Sequence, residues 1–119
     1  GTITNCISSG TVTSTGNVVG GVCGYNNIGT IKNCYYDSTV YTGYGSGNGS
    51  GEAIGLPTAT MTSTTETVRE GTYSTMTLLG ALKAGAAAYN AASPAPSVKA
   101  CSWKQTSGKR PELDFTATP

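Results

Sequence analysis

The sequence holds no histidine, one tryptophan, one phenylalanine and six acidic residues. Without histidine no side chain titrates near neutrality unaided, the commonest general base is missing, and the usual mixed Cys/His zinc sets cannot be completed. The four cysteines, Cys6, Cys23, Cys34 and Cys101, include no CxxC pair, which removes the other common zinc and redox spacing. The acids Asp37, Glu52, Glu66, Glu70, Glu112 and Asp114 are dispersed along the chain. Glu66 and Glu70 suit a solvated helix face, and Glu112 and Asp114 suit one side of a strand. Serine and threonine abound, but no base accompanies them to make a nucleophile. No enzyme activity, metal or cofactor is expected of this chain.

Charge is scarce too, at 11% of residues with a net charge of +1. The basic residues are scattered, so neither a nucleic-acid footprint nor a polybasic membrane patch is expected. No apolar run approaches a membrane span, and membrane insertion is not expected. There is no secretory leader, and the repeat described next starts abruptly. The chain therefore reads as a C-terminal piece of a longer protein.

What the chain has instead is glycine, threonine and a repeat. Hydrophobic residues make up 37% and glycine numbers 17 in 119 residues, one domain's length. Such a composition suits a narrow core organised by backbone ladders. Ile, Val and Tyr recur at regular places, which argues against disorder. The hexamer GTITNC at Gly1 returns as GTIKNC at Gly29, changed only at Thr4 and Lys32. Short β-rich runs at 2–7, 11–13, 18–23 and 30–36 are separated by Ser, Gly and Asn turns. A period in the twenties with several strands per unit predicts a mainly β fold of β-solenoid or β-helix-like coils. Stacking at about 4.8 Å per rung sets Ile3 over Ile31, Asn5 over Asn33 in an amide ladder, and Cys6 over Cys34. The cysteines read as reduced, buried fillers. Disulfides are the alternative, for stacked Cα atoms lie within bridging range although their Cβ vectors run side by side.

The segment VVGGVCGYNNIGTIKNCYYD resembles the GLUG repeat. Val19, Gly20, Gly21, Val22, Cys23, Gly24, Tyr25 and Asn26 match its first half, and Gly29, Thr30, Ile31, Asn33, Cys34 and Tyr35 its second. Val22 stands where the family usually has Leu, and Cys23 where it usually has Val. The resemblance covers about a third of the chain. It implies a β-helical scaffold in bacterial cell-surface or secreted proteins, including large adhesins and the non-catalytic part of some immunoglobulin-cleaving metalloproteases. It implies no activity for the repeat itself.

Three segments are expected: coils over 1–40, a Gly/Ser-rich loop over 41–57, and a C-terminal cap over 58–119. The loop contains Asn48-Gly49-Ser50, formally a glycosylation acceptor or a tight Asn-Gly turn. Thr58, Ala59, Met61 and Ser63 resemble the segment that often follows a last GLUG repeat. Leu78, Leu79, Leu82, Ala86 and Tyr89 recur at helical spacing in an Ala-rich stretch, giving a helix over about 76–92 that Pro94 and Pro96 stop. The stretch 66–73 reads as an inserted loop or turn. Trp103, Gly108, Pro111 and Leu113 follow the order of a family tail, with a closing strand over about 112–116 that includes Phe115. A terminal repeat must be capped, so Leu78, Leu79, Leu82, Tyr89, Trp103, Leu113 and Phe115 are expected to form one cluster.

Two functions follow. The first is a non-catalytic structural module that caps a GLUG array of a bacterial adhesin-like protein, with the rest of the parent array as its partner. The second is a module that binds an extracellular glycan or a host surface protein. It rests on Tyr25, Tyr35, Tyr36, Tyr41 and Tyr44, because tyrosine beside Asn and Asp suits sugar stacking. Its candidate contacts are Tyr36, Asp37, Tyr41 and Tyr44; Tyr35 and Tyr36 face opposite ways along a strand.

Overall fold

A computed structural model describes residues 1–46 and 51–119. They divide into two compact units, Gly1–Ala59 and Thr60–Pro119. The Asn48 acceptor and the Asn48-Gly49 turn lie outside the described residues.

The first unit is built on the repeat. Strand β1 (Thr2–Thr4) pairs in parallel with β3 (Thr30–Lys32), placing Ile3 against Ile31. Strands β2 (Ile7–Ser8), β4 (Cys34–Asp37) and β5 (Ala53–Leu56) form a second parallel sheet in the order β2-β4-β5. Each break between the strands of a copy is an asparagine in the left-handed region, Asn5 at φ 56° and Asn33 at φ 54°. Asparagine tolerates that conformation better than most residues, its short amide being able to bond locally. The rows across β2, β4 and β5 run Ile7–Tyr35–Ile54 and Ser8–Tyr36–Gly55. The first is the unit's core: Tyr35 is fully buried and Ile54 is buried beside it.

The structure corrects the expected β-solenoid. Among the described residues the runs at 11–13 and 18–23 form no strand; the second is held to 44–46 by the amides of Gly21, Val22 and Cys23 and by the isolated bridge Cys23–Ser46. The described residues form strands two to four residues long in sheets of two, three and two members. The physical reason is compositional. A coil must bury an apolar residue on every side, whereas the stretch 9–20 is Ser, Gly and Thr with a few valines, and Val18 stays 60% exposed. The 41–57 segment is not wholly a loop either, since β5 lies within it. Ile54 and Leu56 face inward on alternate residues, a period-2 signal too short to rise above the glycines around it.

The boundary between the units falls inside α1 (Thr58–Met61), which contributes the fully buried Met61. After it the chain turns on Ser63, whose Oγ accepts from the amides of Thr65 and Glu66 at 3.1 and 2.8 Å. The 66–73 stretch belongs to a closed loop: Val68 N donates to Met76 O and Arg69 N to Ser74 O, with Arg69 and Gly71 in the left-handed region. Val68 is buried and anchors this loop.

Helix α2 (Leu78–Asn90) begins at Thr77, whose extended backbone and Oγ1, accepting from Gly80 N, make an N-cap. Its buried residues Leu78, Ala81, Leu82, Gly85 and Ala86 form one stripe at spacings of three, one, three and one. That stripe packs on β6 (Ser102–Lys104), the strand that carries Trp103. Strand β7 (Glu112–Asp114) pairs antiparallel with β6 through a turn at Gly108, φ 79°. Asn90 ends the helix and holds the returning chain through two bonds to Ala100, one each to its N–H and C=O.

Leu78, Leu82 and Trp103 are therefore core residues, joined by Met61 and Val68. Tyr89, Leu113 and Phe115 are not, being 41%, 41% and 82% exposed. Tyr89 lies one turn past the end of the buried stripe, and β7 has one partner among the described residues, so its outer face stays wet. No helix of the described residues is long and apolar enough to cross a membrane.

Removing the fully buried Leu82 side chain should cost about 2–5 kcal/mol, and Trp103→Ala about 3–5 kcal/mol. Phe115→Ala should fall within about 0.5 kcal/mol of the parent. Urea titrations followed by circular dichroism measure all three. A Trp103→Ala chain as stable as the parent, or a Phe115→Ala chain as weak as Leu82→Ala, would refute this division between core and surface.

Candidate functional site

The repeat brings its chemically active residues into one place. Asn33 Nδ2 donates to Asn5 Oδ1 at 2.7 Å, and the Tyr35 hydroxyl donates to Asn33 Oδ1 at 2.5 Å. The amide of Asn33 is thus donor to one neighbour and acceptor to another, and it is 1% exposed. Glu52 continues the row: its Oε1 accepts from Asn33 N at 3.1 Å, and its own backbone accepts from Cys34 N. Its position follows from the register, since Cys34 lies opposite Ala53. One residue further along the copies, Cys6 and Cys34 stand side by side, with Cys6 exposed and Cys34 buried.

The tyrosines divide into packed and exposed. Tyr36 and Tyr41 meet edge to face with ring centroids 5.9 Å apart. The Tyr36 hydroxyl donates to Gly43 O at 2.8 Å, and that of Tyr41 to Val19 O at 3.4 Å. The Tyr36 ring lies between two glycines. A Cβ on Gly21 would sit 2.6 Å from its Cγ, and one on Gly55 2.8 Å from its Cζ. Both rings are half-buried with their hydroxyls given to backbone carbonyls, an arrangement that locks loop to strand.

Asp37 is buried. Its carboxylate accepts from Thr39 N at 2.9 Å and from the Thr58 hydroxyl at 2.7 Å. It ties the end of β4 to the start of α1 and faces no solvent. Tyr44 is the member of the expected set that is open, at 71% exposure.

Another open aromatic surface surrounds Tyr25, which the sequence groups with the other tyrosines but which is not among the candidate contacts. A cleft of ≈ 420 Å³ is lined by Ile3, Tyr25, Asn26, Asn27, Ile28 and Ile31, among others. Tyr25 is 62% exposed and Ile28 92%. The clue in the sequence was Tyr-Asn-Asn-Ile in a stretch without strand periodicity, where a large side chain has no sheet face to bury against. Among the described residues no three His, Cys, Asp or Glu side chains gather where they could hold a metal.

The Asn33 node separates two costs. Asn33→Gly keeps the left-handed backbone but leaves buried partners of the amide unpaired, at about 1–3 kcal/mol per group. Asn33→Ala adds backbone strain of about 1–2 kcal/mol. Equilibrium unfolding should therefore rank the parent above Asn33→Gly, and Asn33→Gly above Asn33→Ala. Equal stability of the two variants would show that the left-handed turn carries no cost.

The chain matches no family model, no curated protein and no solved structure.

Proposed function

We propose that the chain is a non-catalytic structural module of a bacterial cell-surface or secreted adhesin-like protein, closing an array of GLUG-type repeats. The observation that carries this is the Asn5–Asn33 contact at 2.7 Å within parallel copies 28 residues apart. The residues that the two copies share are spent on each other: isoleucine on isoleucine, amide on amide. A site for a small substrate leaves such groups free to meet it. β1 and β2 each pair on one side only among the described residues, so a further copy at the same register has strand edges to join. Adhesion then belongs to the parent protein as a whole.

A second function, glycan or host-protein binding by this chain itself, draws on Tyr25 and Tyr44. They are the tyrosines more than half exposed among the described residues. Tyr25 has two asparagines beside it in the cleft, the pairing of ring and amide that sugars use.

Screening the intact chain on a glycan array separates the two. The structural function predicts no retained glycan, and protease accessibility of the parent on intact cells. Retention that Tyr25→Ala or Tyr44→Ala weakens tenfold or more, with unchanged melting temperature, would establish the binding function in its place.

A further inference from the structure

We infer that Cys6 and Cys34 form a reactive dithiol, which an external disulfide oxidises to a covalent link between the two repeat copies. The register brings them together. Ile7 lies opposite Tyr35 and Asn5 is bonded to Asn33, so the residue between them in each copy has its counterpart on the neighbouring strand. Tyr35 N donates to Cys6 O at 2.9 Å, which fixes the two backbones at that level. In-register neighbours are about 4.8 Å apart at Cα, inside the range that a disulfide spans.

The sulfurs also sit alike. Cys6 Sγ is 3.2 Å from Thr4 O, and Cys34 Sγ is 3.4 Å from Lys32 O, the equivalent carbonyl of its own copy. Cys34 Sγ further reaches Ile3 O in the other copy at 3.6 Å. Cys34 Sγ is thus within reach of carbonyls of both copies, at the level where Cys6 stands. The other two cysteines show no such pairing: Cys23 turns its thiol to Tyr25 O, and Cys101 lies in the second unit.

The partners are unequal in their access to an oxidant. Cys6 is exposed and Cys34 fully buried. The hydrogen bond from Cys34 stabilises the Cys6 thiolate and lowers that thiol to about 7. The same bond, together with burial, holds the Cys34 proton and pushes its thiol up. Cys6 therefore meets the oxidant, and Cys34 meets only Cys6.

The exchange needs a dialkyl disulfide such as oxidised glutathione. The Cys6 thiolate attacks one sulfur of that disulfide and expels one glutathione thiolate, leaving a mixed disulfide on Cys6. Cys34 then attacks Cys6 Sγ, and its proton passes to the departing second glutathione sulfur as the Cys6–Cys34 bond forms. Two electrons pass from the protein thiols to the oxidant, and two protons leave. The Cβ atoms of parallel neighbours lie side by side, so the closed bond is strained and a mild thiol reopens it.

The test uses the full chain with Cys23→Ser and Cys101→Ser, leaving the pair alone. Trypsin cuts after Lys32, which places Cys6 on peptide 1–32 and Cys34 on peptide 33–69. After incubation with oxidised glutathione, mass spectrometry should find these two peptides joined within one chain, and separated again by reduced glutathione. A glutathione adduct that persists on Cys6, links between chains, or two thiols that survive unchanged would each overturn the inference. Iodoacetamide alkylation gives a second readout that needs no oxidant. At pH 7, Cys34→Ala should slow alkylation of Cys6 about tenfold by removing the bond that stabilises its thiolate. An unchanged rate in a variant whose circular dichroism matches the parent would show that the thiols do not communicate.

Discussion

The amide contact between Asn5 and Asn33 is the constraint on which the first unit depends. Two copies of one short sequence must lie in register, and hydrophobic pairing alone does not enforce that, because isoleucine against valine or threonine would bury nearly as much. An amide is stricter. It must give one hydrogen bond and take another at fixed distance, and a slip of one residue would set it against a backbone or a methyl group. Asn33 carries both roles, giving to Asn5 and receiving from Tyr35. Both asparagines also hold the left-handed turns that end β1 and β3. One residue type therefore fixes the local corner and the long-range register together. That coupling explains why a unit with so little apolar mass keeps one arrangement.

The second unit solves the same shortage differently. It has no repeat to reuse, and gathers the chain's scarce large apolar residues on one helix stripe and one strand. Leu78 and Leu82 do the burying, while Ala81, Gly85 and Ala86 let β6 come close enough for Trp103 to fill the gap. Small residues between large ones are how a short helix reaches normal packing density. Polar side chains then close the ends. Thr77 caps the helix, Ser63 turns the chain after α1, and Asn90 clamps the return at Ala100.

Where the sequence carried a repeated or periodic signal, the structure was legible from it. The pairing of Ile3 with Ile31 and of Asn5 with Asn33 followed from the period, and the helix from the spacing of Leu78, Leu82 and Ala86. The β-solenoid did not follow, because period alone does not say whether each side of a coil has something to bury. The stretch 9–20 does not. The tyrosines were legible as a group and not one by one. Exposure of a tyrosine depends on what its neighbours lack, and the glycines that admit Tyr36, Gly21 and Gly55, lie 15 residues before it and 19 after it. Asp37 was misleading for a similar reason. An acid beside two aromatics resembles a sugar site, but its partners, Thr39 and Thr58, occupy both of its oxygens.

Stacking a sequence on itself admits only residues that tolerate their own kind. Isoleucine does so through dispersion. Asparagine does so because its amide is both donor and acceptor. Cysteine does so because a thiol can donate to a thiolate. A charged residue cannot, since like charges directly opposite one another repel. The two copies obey this rule where they differ. Within the hexamer the one changed position sets Lys32 opposite Thr4 rather than opposite a second lysine. In the third row the asparagine position is taken by Glu52, whose carboxylate accepts from the Asn33 backbone amide. The rule also accounts for the low charge of the repeat as a whole. A chain that builds by self-superposition must draw on the small set of self-complementary residues, and among those only cysteine brings chemistry with it.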